Sequence, residues 1–380
     1  MHTFSEAINL HAGLPLGGYI GDRLSASENN ALEVNGFSFN DSVTGNSVEI
    51  CSIDALYAGD LISAAKRNEG ARIFAASHTH YAPMLDSSKP ALGVVANEAI
   101  DQYARAIDIA TRREVAPDVC RIYRAEVPVP IYRRFDVPDT ALNRLLTSRA
   151  GMYPNSSQNI DRKLYIFEFA REDAALFTMV LHACHPVSRH DPMLLSPDYI
   201  GAVRNAVRRR FFSEPCLFLL GCAGDIRPGL ARKRISWMPR SRFNWRFEWP
   251  VRVESETAVD DAYTAAVNSA SLWKTIPLKE NTLMVENRKL SLTAVGNVEI
   301  PRLSVAGILH FEFVPFEVSH HFHLDAQKKD PMKFIVSCAN HTLGYLPHPN
   351  QFSAGGYEVD GSRIFMSLAE RIEFKAGVPW

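Results

Sequence analysis

The sequence predicts an α/β fold, a mixed sheet core with flanking helices, and three observations carry that expectation. Short apolar runs of strand length recur along the chain, and several are followed by stretches with apolar residues at helical spacing. Hydrophobic residues make up 46% and charged residues 22% of the 380 positions, enough for a large core and unlike a disordered or fibrous chain. The apolar runs end in polar loops that carry histidines and carboxylates, the place where α/β proteins gather their chemistry. A chain of this length has room for two or three domains, yet α/β units of this size also fold as one. With no linker, internal repeat or low-complexity tract, a single domain over residues 1–380 is expected.

Composition narrows the function class. The formal net charge is −1, so no global field favours nucleic acid and any preference for anions must be local. No run approaches 18 apolar residues, so no integral membrane segment is expected, and residues 1–10 lack the basic start and long apolar stretch of a signal peptide. The six cysteines (Cys51, Cys120, Cys184, Cys216, Cys222, Cys338) are scattered without a C-x-x-C pair, most of them inside apolar runs. They read as buried free thiols in a reducing compartment, which points to the cytoplasm.

In chain order, residues 13–22 are turn-rich, with glycines available for unusual backbone angles or close approach to a ligand; no Lys-Ser/Thr follows to make a phosphate loop. Residues 48–53 form a strand, and Asp54 is expected to cap a helix carrying Leu56, Leu61, Ile62 and Ala65. A second strand, 71–76, runs into Ser77-His78-Thr79-His80; in extended backbone residues two apart share a side, so His78 and His80 could meet one ion or one substrate. A helix follows near 97–113, then strands near 120–127 and 164–169.

The chain is organised around residues 176–201. The apolar run 176–181 discharges into His182, His185 and His190, any one of which has an equal claim to be a mere partner of loop carbonyls. Ser196-Pro197-Asp198 then reads as a hydroxyl cap, a proline at the first helical position and an acid in the first turn. The strand at 216–220 leads to a glycine turn with Asp225 at its tip, placed to orient a histidine or to cap the turn. Residues 227–252 hold eight basic residues against one acid, Glu248, interleaved with Trp237, Phe243, Trp245, Phe247 and Trp249. Such an insertion either covers an anionic or amphipathic ligand or docks on its own body. Residues 303–316 read as one strand ending at Glu317, with His320, His321 and His323 behind it; residues 333–339 read as another, leading to Tyr345. A closing helix carries Ile364, Phe365, Leu368 and Ile372.

Five apolar runs thus deliver His78/His80, His185, Asp225, Glu317 and Tyr345 to their ends. Two or three nitrogen and oxygen ligands with an open position are the pattern of a catalytic zinc rather than a closed structural one.

S-H-T-H-x-x-P at 77–83, A-x-H-P-x-S at 183–188, S-x-D-x-x-G at 196–201, G-D-x-x-P at 224–228 and G-Y-L-P with G-G-Y-E at 344–358 follow one another in order. In this the chain resembles the neutral/alkaline, non-lysosomal ceramidases, over about residues 13–358. The resemblance implies a ceramidase-like catalytic domain with His78, His185, Glu317 and Tyr345 as zinc ligands, and with His80 and Tyr357 lining the reaction centre. His320 or His321 is the alternative to Glu317, because the family's P-G-E-P-T is replaced by Pro315-Phe316-Glu317-Val318-Ser319. Where the family has G-D-x-S-P, this chain has Arg227 in place of the serine, which suggests a different, anionic substrate. The C-terminal immunoglobulin-like domain and signal sequence of the secreted ceramidases are not expected within these 380 residues.

The expected function is a zinc-dependent amidohydrolase cleaving an N-acyl or other amide bond of a small, polar or anionic molecule with metal-activated water. His80, Tyr357 and Asp225 are its catalytic candidates, and Arg227, Tyr81 and Ser188 its substrate contacts. A zinc esterase or lactonase on the same scaffold and a non-catalytic ligand-binding relative are the alternatives. A metallophosphoesterase lacks its early D-x-H and closing G-H-x-H here.

Overall fold

Side chains along the central strands alternate between two hydrophobic layers, as the period of two requires. On Ala174–His182, Phe177, Met179 and Leu181 enter one layer while Val180 enters the other; on Cys216–Leu220, Leu217 and Leu219 share the first layer, and Cys216, Phe218 and Leu220 the second. With both faces covered, such strands read as continuous apolar runs, which is why they were visible in the sequence. The computed structural model describes residues 1–19, 21–26, 32–65, 70–135, 151–233, 245–279, 282–292 and 295–362.

Two five-stranded mixed sheets dominate. One runs in the order Ala71–Ala76, Ser47–Ile53, Glu33–Asn40, His2–Ala7, Arg113–Glu114; the other runs Cys216–Leu220, Ala174–His182, Lys163–Arg171, Val119–Glu126, Ser271–Pro277. A four-stranded sheet built on Leu283–Leu292 and Gly296–Val305 shares the first hydrophobic layer with both. Helices Asn97–Ile109, Tyr199–Phe211 and Val253–Ser269 bury Tyr103, Val203 and Val267 in the second layer. The α/β class with flanking helices is therefore the architecture found. All six cysteines are buried free thiols, and no described helix is long and apolar enough to cross a membrane.

What positions the site is a set of parallel steps. Ser47–Ile53 pairs in parallel with Ala71–Ala76, Ala174–His182 with Cys216–Leu220, and Glu317–Val318 with Tyr345–Leu346. Parallel neighbours end on the same side, so the loops after them converge.

Several local expectations are corrected. Asp54 caps no helix: the helix there is only Leu61–Ala64, and Asp54 is fully buried, its Oδ2 2.5 Å from Nη2 of the equally buried Arg204. The cap of Tyr199–Phe211 is Asp198, whose carboxylate accepts from the Tyr199 N–H. Ser196 Oγ accepts from the Asp198 N–H, and the proline lies before the helix because Asp198 takes φ 60. Residues 303–316 are two strands, Gly296–Val305 and Leu309–Phe313, since Ala306 and Gly307 take positive φ and turn the chain. Glu33–Asn40 was missed because Gly36 interrupts its apolar pattern. The Phe4 ring occupies the space a Cβ would need there, 2.4 Å away. The closing helix at Ile364, Phe365, Leu368 and Ile372 lies outside the described residues, as do Trp237 and Phe243.

The Asp54–Arg204 pair carries a stability prediction. Removing one partner of a buried ion pair leaves an uncompensated charge, so Arg204→Met should cost about 3–5 kcal/mol in urea unfolding. Asp54→Leu combined with Arg204→Met should recover most of it. A cost below about 1 kcal/mol for the single variant would mean that Asp54 does not depend on Arg204.

Candidate metal centre

The two histidines expected as ligands are each held by a backbone carbonyl. Nδ1 of His78 lies 3.0 Å from the Leu56 carbonyl and Nδ1 of His185 2.6 Å from that of Ala223. A carbonyl only accepts, so both Nδ1 atoms carry a proton and both Nε2 atoms point inward. They meet the same carboxylate oxygen: Glu317 Oε2 is 3.2 Å from Nε2 of His78 and 3.2 Å from Nε2 of His185. Its other oxygen, Oε1, accepts from the Tyr57 hydroxyl at 2.6 Å. Burial alone would raise the Glu317 pKa, but the two imidazoles hold the carboxyl well below the usual range. Burial, then the Arg133 charge, pushes His185 down to about 4.

Two imidazole nitrogens and a carboxylate oxygen therefore converge in a dry interior, an arrangement that needs a proton or a metal cation between them: burial would lower the His78 pKa, but Cys338 and Glu317 raise it well above 6.5. Ligands around a tetrahedral zinc with bonds of 2.0–2.1 Å stand about 3.3 Å apart. The 3.2 Å separations fit that spacing, and the carbonyl-locked imidazoles are the outer hydrogen bonds such ligands require.

His80 joins this group. Ligand atoms of His78, His80 and His185 all lie within 4.8 Å of one another, and both ring nitrogens of His80 are buried without a hydrogen-bond partner. Burial, then the charges of His78 and His185, pushes its pKa well below 6.5, so it is neutral at pH 7. The pair does not come from a strand pleat, as expected, because the strand ends at Ala76 and His78 takes φ 64. A turn, held by His78 N–H to the Ala55 carbonyl, brings the rings to 5.1 Å.

The turn-rich start also serves this ring. A Cβ on Gly18, at φ +101, would lie 2.6 Å from Nδ1 of His80. Gly18→Ala should displace the imidazole and lower kcat by about 10²-fold, and because alanine is strained at this φ it should also cost about 1 kcal/mol or more in urea unfolding. Unchanged kcat would detach His80 from the chemistry.

Tyr345 stands directly beside Glu317 on the parallel ladder, with its ring 5.3 Å from that of Tyr357. Burial first, then the Glu317 charge, pushes its phenol well above 10. Tyr357 is half exposed at the start of the short helix Tyr357–Ser362. Tyr81 is fully buried and donates to the Arg189 carbonyl at 3.3 Å, beside the Tyr19 hydroxyl. Ser188 is fully buried too, its hydroxyl given to Asp198 Oδ1 at 2.5 Å. Of the other loop histidines, His182 is held between the Lys163 carbonyl and the Tyr263 hydroxyl, and His190 pairs with Glu256 at 2.6 Å.

Asp225 does orient a histidine, but not one of the group around Glu317. Its Oδ1 accepts from the backbone N–H of His320 at 2.8 Å and from its ring Nδ1 at 3.1 Å; Oδ2 accepts from Ser319 Oγ at 2.5 Å and from Gln351 Nε2 at 2.8 Å. Asp225, His320 and His321 form a second group with ligand atoms within 4.8 Å, yet every lone pair of Asp225 is already used. Glu317, not His320 or His321, is the residue that faces His78 and His185.

One residue bordering this group escaped the sequence reading. Arg133, in the strand Pro130–Phe135, is buried with Nη1 3.4 Å from Nε2 of His185, Nε 2.8 Å from Glu358 Oε1, and Nη2 without a partner. A bulge between Tyr132 and Arg134 lets both Arg133 and Arg134 reach Glu358. Two arginines inside the apolar run Ile131-Tyr132-Arg133-Arg134-Phe135 were the available signal.

No protein-family model matches the chain, and no curated protein matches it in sequence. Solved structures do. The crystal structure of neutral ceramidase from Pseudomonas aeruginosa superposes with a TM-score of 0.67 at 11% identity, covering 99% of this chain and 72% of that one. A structure described as ceramidase complexed with C2 gives 0.65 at 11% identity, with 99% and 74% covered. The fold is thus shared along the whole chain, as the ordered motifs implied.

Proposed function

We propose that this chain is a zinc-dependent amidohydrolase. The observation that carries the reading is the convergence of two Nε2 atoms on Glu317 Oε2 at 3.2 Å each, with His80 unpartnered beside them. His78, His185 and Glu317 would hold the ion, with Tyr345 next to Glu317 as a fourth donor. When bound, zinc polarises a carbonyl and brings the pKa of water to about 7.

The chain's own residues supply the rest. His80, neutral and buried, accepts a proton from the attacking water and returns it to the leaving amine. Arg133 offers Nη2, a buried donor with no partner, for the charge that develops on the carbonyl oxygen, and the Tyr357 phenol is the second candidate. Tyr19, 5.0 Å from the His80 ring, and Trp249, 5.0 Å from Tyr19, screen this side from water. Sharing a fold with ceramidases supports an amide as the bond cleaved.

The test is amine release from a panel of short N-acyl compounds beside matched esters, before and after chelation and zinc return. Amide turnover that disappears with chelator and comes back with zinc is expected. Ester turnover with no amide turnover would make the protein an esterase, and no turnover in either series would remove the hydrolytic reading.

A further inference from the structure

Arg227 sits on the short strand Ile226–Pro228, opposite Ile131, which is two residues from Arg133. Its guanidinium lies close enough to Tyr19 to act on that phenol, and the Tyr19 ring is 5.0 Å from that of His80, so Arg227 borders the histidine group. Arg133 is matched by Glu358. Arg227 is not: among the described residues it has no hydrogen bond and no ion pair, and its Nε is buried without a partner. Its guanidinium carbon lies over the Phe247 ring, 4.2 Å from the centroid. Its strongest electrostatic neighbours are the neutral phenols of Tyr19 and Tyr81 and the like charge of Arg133, and burial pulls its pKa below the ordinary value.

A second cation, with no acidic partner among the described residues, flanks the same aromatics. Arg23 lies 4.5 Å over the Tyr19 ring and spends its hydrogen bonds on the carbonyls of Gly17, His80 and Pro192. Trp249, half exposed, completes the rim against Tyr19. Stacking on Phe247 returns only part of the hydration that Arg227 gives up. That contact uses none of its N–H groups, which have no partner among the described residues and can pair bidentately with a carboxylate.

We propose that Arg227 is the seat of a carboxylate carried by the substrate, so that the compound cleaved is an N-acyl amide bearing a free carboxylate, with its apolar portion along Tyr19 and Trp249. The word substrate rests on the hydrolase reading; the seat itself is tested without turnover.

Binding of hexylsulfonyl-glycine, which has no cleavable carbonyl, and of its neutral glycinamide counterpart is measured calorimetrically at pH 7 on the zinc-loaded protein. The carboxylate should bind at least about tenfold tighter in the wild type, and the two should come within about twofold in Arg227→Ser. Arg227→Lys should keep a fraction of the preference, and Phe247→Leu should reduce it; these two serve if the serine variant does not fold. Equal binding in the wild type, or a preference that survives Arg227→Ser, overturns the seat. A phosphonate analogue that binds tighter still, and loses that advantage in Arg227→Ser, overturns its assignment to carboxylate. Hydrolysis is then followed separately with hexanoyl-glycine and hexanoyl-glycinamide. Discriminating binding without hydrolysis of either sinks the amidohydrolase and leaves the seat. Hydrolysis of both at one kcat/KM sinks the seat and leaves the amidohydrolase.

Discussion

Purified protein should carry close to one zinc per chain by elemental analysis, and His185→Ala should lose it. The reason is the ligand geometry: with Nδ1 given to the Ala223 carbonyl, Nε2 of His185 points at Oε2 of Glu317, which Nε2 of His78 also meets, and its one other hydrogen-bonding neighbour among the described residues is the Arg133 guanidinium at 3.4 Å. Removing one of three converging donors should weaken zinc binding by more than the 10–100-fold that loss of an outer hydrogen bond costs. His78→Ala and Glu317→Ala should behave alike. His182→Ala and His190→Ala should keep the metal, because those rings are committed to Lys163 and Tyr263 and to Glu256. No metal in the wild type after zinc is supplied would falsify the centre, and the amidase reading would fall with it.

The second large effect concerns His80. A positioned acid or base contributes about 10²–10⁴ in rate, so His80→Ala should lose turnover by that factor while keeping its zinc. The ring is suited to proton transfer because neither nitrogen is engaged and because burial and its two imidazole neighbours keep it neutral at pH 7. Its ligand atoms nevertheless lie within reach of the same ion as those of His78 and His185. Metal content therefore decides between the two roles. Zinc lost together with activity makes His80 a ligand, and full activity removes it from the reaction.

Much of the site was legible before any coordinates. Runs such as Leu176 to Leu181 are apolar on both faces, which identifies buried strands, and ligands gather at the ends of such strands. Less legible was what each polar residue does once there. Asp54 looked like a cap but is the partner of Arg204, 150 positions away. Ser188 and Asp198 sat in separate motifs and satisfy each other. Asp225 was expected to orient a histidine and does, yet the histidine is His320, at the head of a helix 95 residues on. Such pairings depend on loop closure between distant segments, which no local spacing records.

Local chemistry by itself determined that strands alternate with helices, that histidines and carboxylates stand at strand ends, and that residues 227–252 bring basic and aromatic groups together. Patterning of period 2 and 3.6 is a property of neighbours in sequence, so it survives without coordinates. Only the tertiary structure decided that Glu317 rather than His320 or His321 faces His78 and His185, that Arg133 enters the centre through a bulge, and that Arg227 has no acid among the described residues. Those outcomes turn on distances of a few ångströms between segments far apart in the chain, where burial removes water and makes each unpaired charge or lone pair costly enough to matter.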